Sequence, residues 1–225
     1  MLKSTKLKNT LLVGTTTILV SCGGQNEIKM GSYAYDAEFL KKHGIEYTEL
    51  VSADGNSKVM VIPAWQGRVM TSSASGDEGD SFGWINYRFI DKGEISTQFN
   101  PVGGEERFWL GPEGGPFSLY FKGGQEQVYD NWVVPAVLDT EPFKVEAQNE
   151  SSIRFVKDTR LTNASGTTFD INIDRIVSLM DADKVAADFN IQLTNDMKIV
   201  AYKSENKITN MGENAWTKEM DAWLF

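Results

Sequence analysis

An all-β fold, an antiparallel β-sandwich led by one short helix, is the class this sequence predicts, on three observations. Short runs of β-branched and aromatic residues recur from residue 45 onward. Turn-forming clusters separate them, among them Ala53-Asp54-Gly55-Asn56, Asn163-Ala164-Ser165-Gly166 and Asp181-Ala182-Asp183. No long helical period appears after residue 44.

The helix comes first. Residues 36–44, DAEFLKKHG, place Asp36 at the N-cap, Lys41, Lys42 and His43 in the last turn, and Gly44 just past the end. Strand-like runs follow at 45–51 and 57–63, with a third from Arg68 to Ser73, and their close spacing predicts a meander. After a glycine-rich, aromatic middle section, further runs lie near 117–121, 143–147, 152–162, 167–179, 184–194 and 198–209. Successive antiparallel strands with one buried face call for a second layer, hence a sandwich. The chain stops on an apolar run, Met220 to Phe225, with the pattern of a new strand's start, so it reads as an incomplete product with later strands missing.

Ahead of the helix the pattern changes. Lys3, Lys6 and Lys8 precede an apolar stretch, Leu11 to Val20, interrupted by Thr15, Thr16 and Thr17, and Leu19-Val20-Ser21-Cys22 follows. That order is a signal peptide, since a spanning helix needs about 20 apolar residues. Leu-Val-Ser-Cys resembles the lipobox of bacterial lipoproteins, in which the cysteine is acylated and becomes the N-terminus. Cys22 is the chain's one cysteine, so no disulfide forms within it and stability must come from a core. The expected organisation is a signal peptide over 1–21, a lipidated tether over 22–35, and the sandwich with its leading helix over 36–225. Membrane contact is then through the lipid anchor. Gly23 after the cysteine resembles lipoproteins sorted to the outer membrane.

The chain carries 22 basic and 31 acidic residues, a formal charge of −9, and loss of the signal lysines makes it more acidic. Nucleic acid and anionic lipid surfaces are thereby poor partners. No cofactor or metal is implied: P-loop, G-x-S-x-G and Cys/His zinc spacings are lacking, and Asp77-Glu78-Gly79-Asp80 lacks the alternating ligands of an EF-hand loop. Composition leaves the oligomeric state open.

Chemistry concentrates between Asn100 and Tyr120, behind Gly83-Trp84-Ile85-Asn86. Glycines and prolines there exclude regular structure, and among them stand Glu105, Glu106, Arg107, Trp109 and Glu113. Tryptophan offers a flat apolar face to the C–H side of a sugar, while arginine and carboxylates bond its hydroxyls. A second reading makes this a loop crossing the end of the sandwich, with Phe108 and Trp109 plugging the core and Arg107 paired to a glutamate. Were the segment extended, Glu105 and Glu106 would point to opposite faces.

Three stretches carry a resemblance: Ile62-Pro63-Ala64-Trp65-Gln66-Gly67-Arg68-Val69-Met70-Thr71-Ser72, then Gly83 to Asn86, then Gly103 to Glu113. Over roughly residues 45 to 219 they are similar to an uncharacterised family of Bacteroidetes envelope proteins. Those in turn resemble galactose mutarotase-like supersandwiches. The resemblance implies a sugar cleft bordered by Arg68, Trp84, Asn86, Arg107, Trp109 and Glu113. Mutarotases move protons with two histidines and a late glutamate, whereas this chain has one histidine, His43. The expectation is a lipid-anchored envelope protein that binds carbohydrate without the mutarotase reaction. The rivals are a sugar-processing enzyme, an epimerase or glycosidase with Glu105 and Glu106 as its catalytic carboxylates, and a structural envelope protein without ligand.

Overall fold

Alternation of apolar and polar side chains shapes the second sheet, whereas the first is a run of residues buried on both faces. The computed structural model describes residues 28–194 and 196–217. The predicted signal peptide, Cys22 and most of the tether lie outside the described residues, as does the apolar finish at Met220 to Phe225.

The first sheet is a meander, β1 (Thr48–Val51), β2 (Lys58–Ile62) and β3 (Arg68–Ser73), antiparallel in the order β1-β2-β3. β3 is buried along its whole length. Its sheet is covered on both faces. Leu50, Val59, Val61 and Val69 point to the second sheet, while Met60, Ile62 and Met70 pack with Tyr33 and Leu40 of a helix on the outside. That helix is α1 (Tyr33–Lys42).

The second sheet runs β4 (Lys144–Gln148), β5 (Ser152–Thr162), β6 (Thr168–Leu179) and β7 (Tyr202–Asn210), antiparallel between sequence neighbours. Ile153, Phe155 and Leu161 of β5 and Phe169, Ile171, Ile173 and Val177 of β6 form the inner layer. The intervening residues face solvent as cross-strand ion pairs, Arg154 with Asp174 and Arg160 with Asp170. The β5–β6 hairpin closes on Asn163, whose Oδ1 accepts the Thr167 N–H at 2.9 Å.

The fold class is the all-β sandwich expected, and β3 and β5 have the expected bounds. Several elements differ. The helix starts earlier, because Ser32 is its N-cap and accepts the Tyr35 N–H at 3.2 Å. Asp36 instead lies in the first turn, buried, accepting hydrogen bonds from Ser81 and Tyr87. The run at 117–121 forms bends. Residues 184–194, expected as a strand, include most of α4 (Ala182–Phe189). Asp181 is its N-cap, Val185 and Phe189 are one turn apart, and Asn190 closes it in the left-handed region at φ 50°. Two shorter helices, α2 (Tyr87–Lys92) and α3 (Ala136–Asp139), complete the fold.

Candidate functional site

The glycine-rich segment after Asn100 lies along the free edge of β3. Gly103 and Gly104 permit this: both have positive φ, 100° and 114°, and a Cβ at Gly103 would sit 2.1 Å from the Trp84 carbonyl oxygen. A Cβ at Gly104 would meet the Arg68 side chain at 2.8 Å. The Gly104 N–H donates to that Trp84 carbonyl at 2.8 Å, and Phe82 donates to the Ser72 carbonyl at 3.0 Å. Trp84 is thereby fixed one residue from Glu105, and its side chain stands free, with the residue 62% exposed.

At Val69 the pairing becomes a bulge. The N–H groups of both Glu105 and Glu106 converge on the Val69 carbonyl, at 2.9 and 3.3 Å, while Val69 donates back to the Glu106 carbonyl at 3.0 Å. Two residues opposing one break the alternation of a regular strand. Glu105 and Glu106 accordingly do not point to opposite faces; both reach the inner face of β7. Glu105 accepts from Ser72 Oγ at 2.9 and 3.0 Å and from the Tyr202 hydroxyl at 3.2 Å. Glu106 accepts from Ser204 Oγ at 3.1 Å and from both terminal nitrogens of Arg175.

Electrostatically the neighbours are unlike. Burial pushes the Glu105 carboxyl up from the ordinary glutamate range, against the opposing bonds from Ser72 and Tyr202. Glu106 is ion-paired with Arg175, which is fully buried and also donates to the Gly67 carbonyl and to Asn206 Oδ1 at 2.8 Å.

The other sequence-predicted residues form separate groups. Arg68 is buried, donates to the Gly103 carbonyl at 2.5 Å, and lies close enough to Arg107 that burial and then mutual repulsion weigh against its charge. Asn86 caps α2 by accepting the Phe89 N–H at 3.2 Å and clamps the Pro101 carbonyl at 2.9 Å. Arg107 donates to the Leu138 carbonyl, and its guanidinium carbon lies 3.8 Å from the Trp109 ring centre. Trp109 also packs against Tyr120, ring centres 5.3 Å apart, and donates from Nε1 to Glu113 at 2.8 Å. Trp109 thus packs, half-buried, against the edge of the core, with its indole N–H bonded to the exposed Glu113. A cleft of about 740 Å³ beside Tyr120, Lys122, Asp130 and Arg160 holds none of the sequence-predicted residues.

Over residues 31–223 the sequence matches a family described as a family of unknown function, DUF6786. The chain belongs to that family. Neither the curated proteins nor the solved structures contain a match.

Ser72, Arg175, Tyr202 and Ser204 escaped the sequence reading. Arg175 carried a signal: it interrupts the inward row Phe169, Ile171, Ile173, Val177, and a charge in such a row needs a partner. Nothing in the sequence marks Tyr202 or Ser204, whose importance comes from the register of β7 against β6.

Proposed function

We propose that this chain is a lipid-anchored protein of the bacterial envelope whose sandwich binds a saccharide where Glu105 and Glu106 meet the inner face of β7. The observation that carries the reading is the bulge opposite Val69. It turns two carboxylates to one side, among the hydroxyls of Ser72, Tyr202 and Ser204, with the exposed indole of Trp84 on the adjoining segment. Hydroxyl donors of a sugar suit the carboxylates, and its C–H face suits the indole.

The resemblance to mutarotase-like sandwiches supports the same region, because Arg68 and the carboxylate pair belong to its two cleft-bordering segments. A chain of formal charge −9 favours a neutral saccharide over a polyanionic one. The histidine chemistry of mutarotases has no counterpart around Glu105 and Glu106. His43 caps α1, with Nδ1 at 2.8 Å from the Phe39 carbonyl and Nε2 at 3.2 Å from Asp91.

Support for the anchor is the order of basic, apolar and lipobox residues up to Cys22, and Gly23 favours the outer membrane. Two experiments test the reading. Mass spectrometry of native protein should find an acylated peptide beginning at Cys22, and an unmodified peptide spanning Ser21 to Gly24 as the main species would refute the anchor. A glycan array probed with the full chain should give saccharide binding; a blank array refutes the ligand.

A further inference from the structure

We infer that Phe82, Met30 and Ile28 seat the sandwich on the bilayer beside its anchor, with Trp84 at headgroup depth on the rim of the contact. This rests on the lipid-anchor reading above and adds to it the face that the protein turns to the membrane.

Residues 81–85 alternate in direction. The Ser81 hydroxyl donates inward to the buried Asp36. Gly83 lies so close to β3 that a Cβ there would sit 2.1 Å from the Met70 carbonyl oxygen, and Ile85 is buried. Phe82 and Trp84, which stand between them, therefore face outward, Phe82 with 58% exposure. The chain arriving from the tether runs alongside. The Gly31 carbonyl accepts the Ser81 N–H at 2.9 Å, Ser32 pairs antiparallel with Asp80, and Lys29 Nζ lies 3.2 Å from the Asp80 carboxylate. On that chain Ile28 and Met30 are exposed as well, Met30 by 69%. Four large apolar side chains thus stand open on two segments that are bonded to each other, and apolar residues gathered in this way mark a contact surface where scattered ones do not.

The tether names the occupant. Ile28 is six residues from Cys22, a reach of at most about 20 Å. An acylated Cys22 therefore holds this patch, rather than the far side of the sandwich, within range of the bilayer. Neighbouring charges select the lipid. Asp77, Glu78 and Asp80 lie just ahead of Phe82 and would be repelled by anionic headgroups, so the contact is an apolar one on a zwitterionic surface. Phenylalanine and aliphatic side chains suit the acyl boundary, and tryptophan the headgroup level. A saccharide beside Trp84 is then met at the membrane surface.

The test uses the full acylated chain in phosphatidylcholine vesicles, plain or brominated near the headgroup end of one acyl chain. Bromine quenches a nearby indole, and the difference between the parent and Trp84→Phe isolates the emission of Trp84. The expected result is quenching of Trp84 in the brominated vesicles, with most of it lost in Phe82→Ser and in Met30→Ser. Both replaced side chains are exposed, so the variants should keep the fold and the anchor. An acylated, vesicle-bound chain whose Trp84 emits equally in the two kinds of vesicle overturns the seating and leaves the anchor intact, including the case in which sedimentation shows a second copy of the chain covering the patch. Quenching undiminished in both serine variants overturns the role of Phe82 and Met30. A chain that stays free of the vesicles and yields no acylated Cys22 peptide overturns anchor and seating together.

Discussion

Replacing Glu106 with glutamine alters little volume, yet it should cost about 3 kcal/mol of stability. Arg175 is fully buried. Its guanidinium meets the Gly67 carbonyl at 3.2 Å, Asn206 Oδ1 at 2.8 Å, and the two oxygens of Glu106. The first two are dipoles; the carboxylate carries the full countercharge. Removing one partner of a buried ion pair costs about 3–5 kcal/mol, because the remaining charge is stranded. The Glu106 side chain keeps 27% exposure, so water takes up part of that cost and the lower end applies. For a chain of this size each 1 kcal/mol lowers Tm by about 2–4 °C, which gives a fall of about 6–12 °C. Scanning calorimetry measures it, with a urea midpoint at unchanged slope confirming that the folded state is the one affected. Adding Arg175→Met to Glu106→Gln removes the stranded charge and should recover much of the loss. A Glu106→Gln variant within about 1 kcal/mol of the parent, or a double variant no better than the single, would refute this account of Arg175.

Two further outcomes follow from the same geometry. Burial raises the folded-state pKa of Glu105 above its unfolded value, so its contribution is full below the ordinary glutamate range and is lost as pH rises through the raised value. The parent should therefore lose stability relative to Glu105→Gln as pH climbs from about 4 toward neutrality; urea midpoints that run parallel across that window would contradict it. Trp109 has Arg107 over its ring and Tyr120 packed against it. Trp109→Ala should accordingly act on stability, by about 3 kcal/mol, with saccharide affinity unchanged in the folded fraction; a stable variant that has lost binding would return Trp109 to the sugar site.

The sandwich was legible because its longest strands, β5 and β6, alternate cleanly, and because β3 is a short run set off by turn residues. Ser152–Thr162 and Arg68–Ser73 are bounded by turn residues and have the expected limits. Elsewhere competing signals won. Asp181-Ala182-Asp183 reads equally well as a turn or as the acidic start of a helix, and the one-turn spacing of Val185 and Phe189 settles it for α4. Ser32 took the cap expected at Asp36 because two hydroxyls from distant segments hold Asp36 in the interior.

At the site, composition pointed to the right segment but period-2 reasoning misplaced its side chains. A bulge is a backbone event that depends on which residues oppose Val69, and no single residue announces it. The aromatic most prominent in the sequence, Trp109, is occupied within the fold. Trp84 is left open, as is Phe82 beside it, and burial of that kind is decided by packing between elements remote in the chain.

The most direct test of the account is calorimetric titration of the full chain and its Trp84→Ala variant with a saccharide taken from the glycan array. Because Trp84 is 62% exposed, the substitution should leave stability within about 0.5 kcal/mol of the parent. The account predicts an unchanged melting temperature together with a loss of affinity of at least about tenfold, or 1.4 kcal/mol. Undiminished affinity in a folded Trp84→Ala variant would contradict a sugar site beside Glu105 and Glu106.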